Sequence, residues 1–303
     1  MFFMTFSKSN WLKYSNWFRK RRLLFFFLSP ALLYLAVVAY YPIAYAFRLS
    51  LFQGSTFVGL SNYIKAISRE YFFSNLLHSF QWSFTIVIAQ NLIGLAFAVL
   101  LSTKIKFRNV WRGLQYLPWL LPPTVVGVVW ISFYLPVLGL VNTTLRSLGL
   151  VSLTRDWLGD PSTTLNAVIL ADIWHFYPFF SIMYLAGIAG IQETIYEAAK
   201  IDGANSWQRF FRITLPLIRP IMLTVSLVQF IWVFRFFDLI WIMTRGGPAK
   251  ASEVLATQVY KTALYRSDFN EASALGIIMS GIMLMVLLAY LYVYRKGESN
   301  APR

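Results

Sequence analysis

The sequence predicts an all-α integral membrane protein with six transmembrane helices, and three observations support this prediction. Of the 303 residues, 58% are hydrophobic and only 13% are charged, whereas a soluble domain carries about 25% charged residues. Six apolar stretches are long enough to cross a bilayer, which takes about 20 residues in a helix. Lysine and arginine are concentrated in alternate segments between these stretches, which is typical of membrane topology.

The six stretches differ in how regular a helix they predict. In chain order they are 23–47, 80–101, 114–135, 165–189, 217–244 and 272–294. The third contains Pro118, Pro122 and Pro123 near its start, so we expect a kink there. The first is longer than a signal-peptide core of about 7–15 residues, and we interpret it as a retained anchor. The chain is therefore one membrane domain over 23–294, with an N-terminal segment 1–22 and a tail 295–303.

The distribution of basic residues orients the chain. With the N-terminus in the cytoplasm, the cytoplasmic segments hold 17 Lys and Arg and the outer loops hold nine. This excess predicts that both termini and the segment between spans four and five are cytoplasmic. The net charge of +15 would suggest nucleic acid in a soluble protein. Here the basic residues lie between apolar runs, so nucleic-acid binding is rejected. No cysteine is present, which excludes disulfides and thiolate metal sites.

The cytoplasmic segment between spans four and five predicts two short amphipathic helices around a break. Gly203 supplies the conformational freedom of a sharp turn. Asn205 is placed to cap the second helix, with Gln208 three residues later in capping-box register. The apolar face of this helix includes Trp207, and Pro216 is expected to end the helix at the membrane. Taken alone, this pattern also fits a connector lying on the membrane surface.

The spacing of residues in this segment resembles the signature loop of the permease subunits of binding-protein-dependent ABC importers. The matching positions are Glu197-Ala198-Ala199, Gly203, Ile213 and Leu215-Pro216. Other motifs are similar to the sugar-uptake branch of that family, namely Phe27-Leu28-Ser29-Pro30-Ala31, Tyr116-Leu117-Pro118, Asp172-Ile173-Trp174, Gly246-Gly247-Pro248 and Tyr260-Lys261-Thr262-Ala263. The resemblance implies that the segment couples to a cytoplasmic ATPase. The implied coupling residues are Glu197, Ala198, Ala199, Asp202, Gly203, Trp207, Ile213, Leu215 and Pro216.

The resemblance also implies partners and a mechanism. The sequence has no Gly-x-x-x-x-Gly-Lys-Ser/Thr phosphate loop, so ATP and Mg would be bound by two separate ATPase subunits and no cofactor by this chain. The chain would be a non-catalytic subunit in a bacterial inner membrane, paired with a second homologous permease. An extracytoplasmic solute-binding protein would deliver a sugar to outer loops such as 245–271, and transport would proceed by alternating access.

Ionisable and amide side chains inside spans are candidates for function. Arg235 and Asp238 are three residues apart in span five, so we expect them to pair and fix helix packing. Asp172 in span four has no basic partner one turn away, which leaves two alternatives: it lines a wet path, or it pairs with Arg235. Gln90 and Asn91 in span two fit interhelical hydrogen bonding.

Aromatic rings stack on the C–H faces of sugars, and carboxylate and amide groups bind their hydroxyls. The substrate-path candidates on this basis are Trp119, Asp172, Phe176, Phe179, Gln229, Trp232 and Phe236. An aromatic stripe in a membrane helix more often serves packing. No metal site is predicted, because His78 has no nearby second ligand in the sequence. The rival functions are uptake of glycerol phosphate, a polyamine or another solute, and, less favoured, a membrane-embedded enzyme or a scaffold.

Overall fold

Helices make up almost all of the fold, which a computed structural model describes for residues 26–103 and 105–299. A short antiparallel hairpin pairs β1 (Phe52–Gln53) with β2 (Thr56–Phe57). The predicted segment 1–22 and residues 300–303 of the predicted tail lie outside the described residues. The helices are α1 (Phe26–Leu51), α2 (Ser61–Ile67), α3 (Phe72–Ser102), α4 (Arg108–Leu120), α5 (Pro123–Phe133), α6 (Leu140–Ser147), α7 (Thr164–Ala189), α8 (Glu193–Ile201), α9 (Ser206–Arg209), α10 (Leu215–Arg235), α11 (Asp238–Met243), α12 (Leu255–Leu264) and α13 (Phe269–Ser299).

Five of the six predicted spans are present as helical stretches able to cross a membrane, and the third predicted span is divided into two helices. Within the described ranges, five helical stretches are long and apolar enough to cross a membrane. They are α1, α3, α7, the run from α9 to α11, and α13 as far as Tyr292. The pair α4 and α5, whose axes are bent by 94°, gives a sixth if the two helices are counted as one broken span. The short helices α2, α6 and α12 lie in the connections between spans.

Prolines explain the bent span. α4 ends at Leu120, and both Leu121 (ψ 138°) and Pro122 (ψ 145°) are extended before α5 begins at Pro123. A proline disfavours helical geometry in the residue before it, and two prolines in succession therefore impose two extended residues. The kink expected near the start of the third span is confirmed, as a complete break between two helices.

The fifth span differs from the prediction at both ends. The expectation that Pro216 ends the second loop helix is wrong, because a π-helical turn over Phe210–Thr214 carries the helix onward. Pro216 lies in the first turn of α10, where a missing N–H is tolerated. At the other end, Phe236 (ψ 126°) and Phe237 interrupt the helix before α11.

α3 and α7 run in the same direction, which defines the two faces of the fold. Gln81 bonds to Asn166 near the start of both helices, and further along Gly94 faces Phe180 across a close backbone contact. The C-terminal ends of α3 and α7 therefore lie at one face. The helical hairpin formed by α8 and α9 follows α7 there, so we call it the hairpin face. α2 and α12 lie at the opposite face, called the outer face, where α12 begins against Ser79 in the first part of α3.

The buried core lies where α3 and α7 pack against α10. Trp82 and Phe180 are fully buried, and the Trp82 indole N–H donates to the Val233 carbonyl at 3.0 Å. By contrast, α1 is exposed along almost its whole length and contacts α13 with its C-terminal half. Its apolar surface is the kind that lipid or another membrane chain would cover.

Candidate functional site

A cavity of about 430 Å³ opens between α7 and the interrupted end of α10. It combines four aromatic side chains with two carboxyl groups, an amide and a guanidinium. The residues that line it are Asp172, Phe176, Gln229, Trp232, Val233, Arg235, Phe236, Phe237 and Asp238. Five of the seven substrate-path candidates are in this set, so the structure brings most of them together although they come from two separate spans.

The polar wall of the cavity is held by hydrogen bonds from α3. Gln90 Nε2 donates to the Asp172 carbonyl oxygen at 3.0 Å and to Asp172 Oδ1 at 3.1 Å. Gln229 Nε2 in turn donates to Gln90 Oε1 at 3.2 Å. Asp172 Oδ2 is buried and has no hydrogen-bond partner among the described residues. One oxygen of this carboxyl group is therefore fixed in position, while the other is buried in the cavity wall without a partner among the described residues.

The predicted pairing of Arg235 with Asp238 is wrong. No ion pair within 4.0 Å involves either residue in the described parts of the chain. The reason is the interruption at Phe236 and Phe237, which separates the last residue of α10 from the first residue of α11. A spacing of three residues brings side chains together only on a continuous helix. Both side chains are exposed on the cavity.

Of the two alternatives for Asp172, the pairing with Arg235 is not formed within the described ranges, and a place on a wet path stays a prediction. Asp172 lines the cavity. Its neighbour on the same face, His175, is turned away and its Nε2 bonds to the Leu121 carbonyl at 3.0 Å, against the break between α4 and α5.

Two substrate-path candidates are not among the residues that line the cavity. Trp119 and Phe179 pack against each other, with ring centroids 5.9 Å apart, where α4 meets α7. Phe176, by contrast, makes an edge contact with Phe236 at 6.0 Å. The sequence could not separate these cases, because an aromatic residue on a membrane helix has the same appearance whether it packs or faces a cavity.

Gln90 and Asn91 form the interhelical hydrogen bonds expected of them. Asn91 Oδ1 accepts bonds from the Tyr184 hydroxyl of α7 and from Ser226 Oγ of α10, the latter at 3.0 Å. Together the two adjacent amides of α3 connect α3, α7 and α10 at two points. Such bonds average about 0.6 kcal/mol each in a measured membrane protein, so their main effect here is to fix how the helices face one another.

At the hairpin face, α8 and α9 form the predicted pair of short helices, joined by a tight turn. Gly203 has φ +79°, and the amide of Ala204 donates to the Ala199 carbonyl at 2.9 Å while that of Gly203 donates to Lys200 at 3.1 Å. These are the two bonds of a Schellman motif, which requires a left-handed residue at this position. Asn205 and Gln208 form the predicted capping box, with both bonds at 2.8 Å.

The tip of this hairpin exposes apolar side chains. Ile201 is 87% exposed and Trp207 is 73% exposed, and the Trp207 ring stacks on Phe211 with centroids 5.9 Å apart. Of the predicted coupling residues, Ala199, Ile213 and Leu215 are half-buried and the other six are exposed. The Glu197 carboxylate has no partner among the described residues, so it does not cap its own turn.

The outer face carries two polar clusters that the sequence did not reveal. Glu253 pairs with Lys261 and accepts from Asn75 Nδ2 at 3.1 Å, while His78 Nδ1 lies 3.1 Å from the Glu253 carbonyl oxygen. In the second cluster, Glu271 pairs with Lys65 of α2 and with Arg69, which follows α2. Asn75 and Glu253 are 178 residues apart and Arg69 and Glu271 are 202 apart, so no local pattern could have identified these contacts. The described residues include no group of three or more His, Asp or Glu arranged to hold a metal ion.

A helical membrane fold with a polar, aromatic-walled cavity part-way along its spans, and a helical hairpin exposed at one face, defines a membrane transport component. The particular family follows from comparison with known proteins. The chain belongs to the binding-protein-dependent transport system inner membrane components, which match residues 90–296. The predicted membership of the ABC-importer permeases is thereby confirmed, and the protein is an inner membrane protein.

Curated relatives are similar over almost the whole chain. A probable ABC transporter permease protein of Bacillus subtilis, YurN, is 34% identical over 91% of this chain and 97% of its own. The trehalose/maltose transport system permease protein MalF of Thermococcus litoralis is 32% identical over 92% of this chain and 95% of its own. A probable ABC transporter permease protein of Pyrococcus horikoshii is 33% identical over 90% of this chain and 96% of its own. These relatives include bacterial and archaeal proteins.

A solved structure has the same fold. A chain of a bacterial ABC transporter involved in the import of the acidic polysaccharide alginate superimposes with a TM-score of 0.84, covering 94% of this chain and 99% of that chain at 23% identity. At that identity the likeness establishes the architecture alone.

Proposed function

We propose that this chain forms part of the translocation path of an ABC importer for a sugar or oligosaccharide, and the cavity between α7 and α10 is the observation that supports this most. Phe176, Trp232 and Phe236 offer ring faces to the C–H surface of a sugar. Asp172 and Gln229 offer an acceptor and an amide to its hydroxyls. A few placed polar groups in an otherwise aromatic wall are typical of small-molecule sites.

The charge of the cavity favours a neutral solute over the rival glycerol phosphate. Arg235 faces the cavity together with the exposed carboxylate of Asp238. Its single positive charge is therefore offset, whereas a phosphate site concentrates cations or free helix N-termini on the anion. Among the relatives, a permease named for trehalose and maltose agrees with a sugar substrate.

We assign the coupling role to the hairpin of α8 and α9. Its turn is fixed by Gly203 and by the capping box, so it presents Ile201 and Trp207 on a rigid tip. Large apolar side chains exposed in this way mark a protein-binding surface. The proposed occupant is an ATPase subunit that binds ATP and Mg, with two such subunits in the complex, while this chain itself is not catalytic.

A second permease chain completes the path in this proposal. Trp232, Arg235 and Asp238 are exposed in the single chain although they line the cavity, which leaves one side of the cavity without a wall. A homologous chain facing this side would close it.

Movement of the two chains, driven by the ATPases, would expose the cavity to each side of the membrane in turn. A solute-binding protein outside the membrane would deliver the ligand to the outer face, as in the solved alginate transporter in complex with its periplasmic protein. With the outer face turned away from the cytoplasm, both termini and the hairpin face are cytoplasmic in this proposal.

The coupling proposal is tested with a charge at the hairpin tip. The variant Ile201→Asp is expected to lose co-purification of the ATPase subunits and to lose ligand-stimulated ATP hydrolysis in nanodiscs. Leu138→Asp is the matched control, because Leu138 is 84% exposed in the connection before α6 and lies outside the hairpin. If Ile201→Asp retains both the ATPase subunits and ligand-stimulated ATP hydrolysis, the ATPase does not bind through the hairpin and the proposal is contradicted.

A further inference from the structure

The helix α4 begins shortly after α3 ends at the hairpin face, and it is amphipathic. It makes an angle of 94° with α5, so it does not continue the direction of that span. One side packs on α7, where Ser181 Oγ donates to the buried Gln115 Oε1 at 3.2 Å. The other side leaves Trp111 and Leu114 about half exposed. A helix of this kind, with basic residues at its start, is typical of a membrane interface.

Two clefts adjoin at the start of α4. The first, of about 800 Å³, is lined by 105–110 and contains the side chains of Lys106, Arg108 and Asn109. The second, of about 510 Å³, is an apolar groove between α3, α4 and α7. Ile105 lines both clefts, so the basic pocket and the apolar groove are neighbours. The groove is lined chiefly by Phe97, Leu100, Trp111, Leu114 and Tyr177.

The positive charge of the first cleft is not neutralised within the described chain. Neither Lys106 nor Arg108 forms an ion pair with any described residue, and the Lys106 ammonium has only the Phe107 ring, 5.2 Å from its centroid. The sequence between Glu70 and Asp156 contains no acidic residue at all. An anionic group with an attached hydrocarbon chain is the ligand that fits both clefts.

We propose that these clefts bind one anionic phospholipid of the leaflet at the hairpin face. Its phosphate contacts Lys106 and Arg108, and one acyl chain lies in the groove along Trp111 and Leu114. Basic pockets beside membrane helices hold anionic lipid headgroups by this combination of charge and apolar contact. The bound lipid would brace the start of α4 against α3 and α7.

The test is native mass spectrometry of the full chain, released from detergent after titration with phosphatidylglycerol or with phosphatidylcholine of the same acyl chains. Wild type is expected to retain one phosphatidylglycerol and to prefer it over phosphatidylcholine. The double variant Lys106→Gln/Arg108→Gln is expected to lose about thirtyfold in affinity for phosphatidylglycerol, since each basic residue at a membrane surface contributes about fivefold. The double variant Lys200→Gln/Arg266→Gln removes the same charge from exposed sites elsewhere and is expected to bind like wild type.

A groove variant separates the acyl contact from the charge. Leu114→Ala is expected to weaken long-chain phosphatidylglycerol and to leave the dihexanoyl form unchanged. Equal retention of both headgroups, or unchanged binding by Lys106→Gln/Arg108→Gln, would overturn the proposal. So would loss of the lipid when the chain is assembled with its partner subunits, since the clefts would then be a protein interface.

Discussion

Arg69 and Glu271 form a bidentate ion pair at the outer face, with Nε to Oε1 at 2.8 Å and Nη2 to Oε2 at 2.7 Å. The Glu271 side chain is fully buried, whereas that of Arg69 is 41% exposed. Lys65 of α2 adds a second contact to Glu271 at 3.3 Å. The pair joins the connection between α2 and α3 to the first turn of α13, so it fixes the last span against the outer end of the second.

Replacing Arg69 alone is expected to lower the free energy of unfolding more than replacing both Arg69 and Glu271. Arg69→Met leaves a buried carboxylate with only the more distant Lys65, which should lower the free energy of unfolding by about 2 kcal/mol. Glu271→Gln removes the buried charge and should cost less, and the double variant should be more stable than Arg69→Met alone. Thermal unfolding of the four proteins in detergent measures this cycle. Additive effects of the two substitutions would show that the side chains do not interact.

The neighbouring pair of Lys65 and Asp268 predicts a dependence of stability on pH. Burial alone would raise the pKa of Asp268, but the bonds from the Glu271 amide and the Lys65 ammonium outweigh it and the pKa is lowered. A lowered pKa adds stability above the unfolded value of about 3.9, and this stability is lost as the pH falls through the folded pKa. The unfolding temperature should therefore decline in acid below about pH 4. Asp268→Asn should be less stable at neutral pH and should decline less, and an unchanged acid profile in this variant would refute the assignment.

Local patterns predicted the features that depend on nearby residues. The apolar runs, the turn at Gly203, the capping box and the kink at Pro122 each follow from a few consecutive residues, and each is present. The interruption at Phe236 carries no proline or glycine to reveal it. The prediction that Arg235 pairs with Asp238 is wrong for the same reason, because it assumed a continuous helix between the two residues.

Two tryptophans test the assignment of the cavity. Trp232 lines it, whereas Trp119 packs on Phe179 away from it. Trp232→Ala is expected to reduce uptake of the proposed sugar substrate at least tenfold, with little loss of stability because Trp232 is 50% exposed in the single chain. Trp119→Ala should instead lower the unfolding temperature and leave the substrate concentration for half-maximal uptake unchanged. The assignment fails if the two variants have the opposite effects on uptake and stability.

Sequence reasoning identified the types of residue in the cavity better than their placement. Carboxylate, amide and aromatic groups were selected by their chemistry toward a sugar, and those of α7 and α10 converge. Trp119 was selected on the same grounds, but the 94° bend between α4 and α5 directs its helix elsewhere. The angle of a bend depends on packing against distant helices, which residue type alone does not encode.

The turn at Gly203 predicts a dependence on backbone conformation alone. A Cβ at this position would meet no atom within 4 Å, so a side chain has space, but φ is +79°. Gly203→Val forces a β-branched residue into the left-handed region, at a cost of about 1–2 kcal/mol, and should reduce ligand-stimulated ATP hydrolysis by the assembled importer. Gly203→Asn is the control, because asparagine tolerates this conformation. Equal activity of the two variants would show that the shape of the turn is not needed for coupling.

Gly94 allows the closest approach between α3 and α7, and this contact tests the packing that positions the cavity. A Cβ on Gly94 would overlap the Phe180 Cβ and would lie 3.0 Å from the Ser181 backbone nitrogen. Since the obstacle is backbone rather than the end of a flexible side chain, Gly94→Ala must push the helices apart. The cost is expected to be about 1–3 kcal/mol, together with lengthening of the bond from Gln90 to Asp172 one turn away and a fall in transport. Gly276→Ala in α13 meets no atom within 4 Å and should match or slightly exceed wild type in thermal stability. A Gly94→Ala protein with wild-type unfolding temperature and uptake would mean that α3 and α7 do not approach this closely in the membrane.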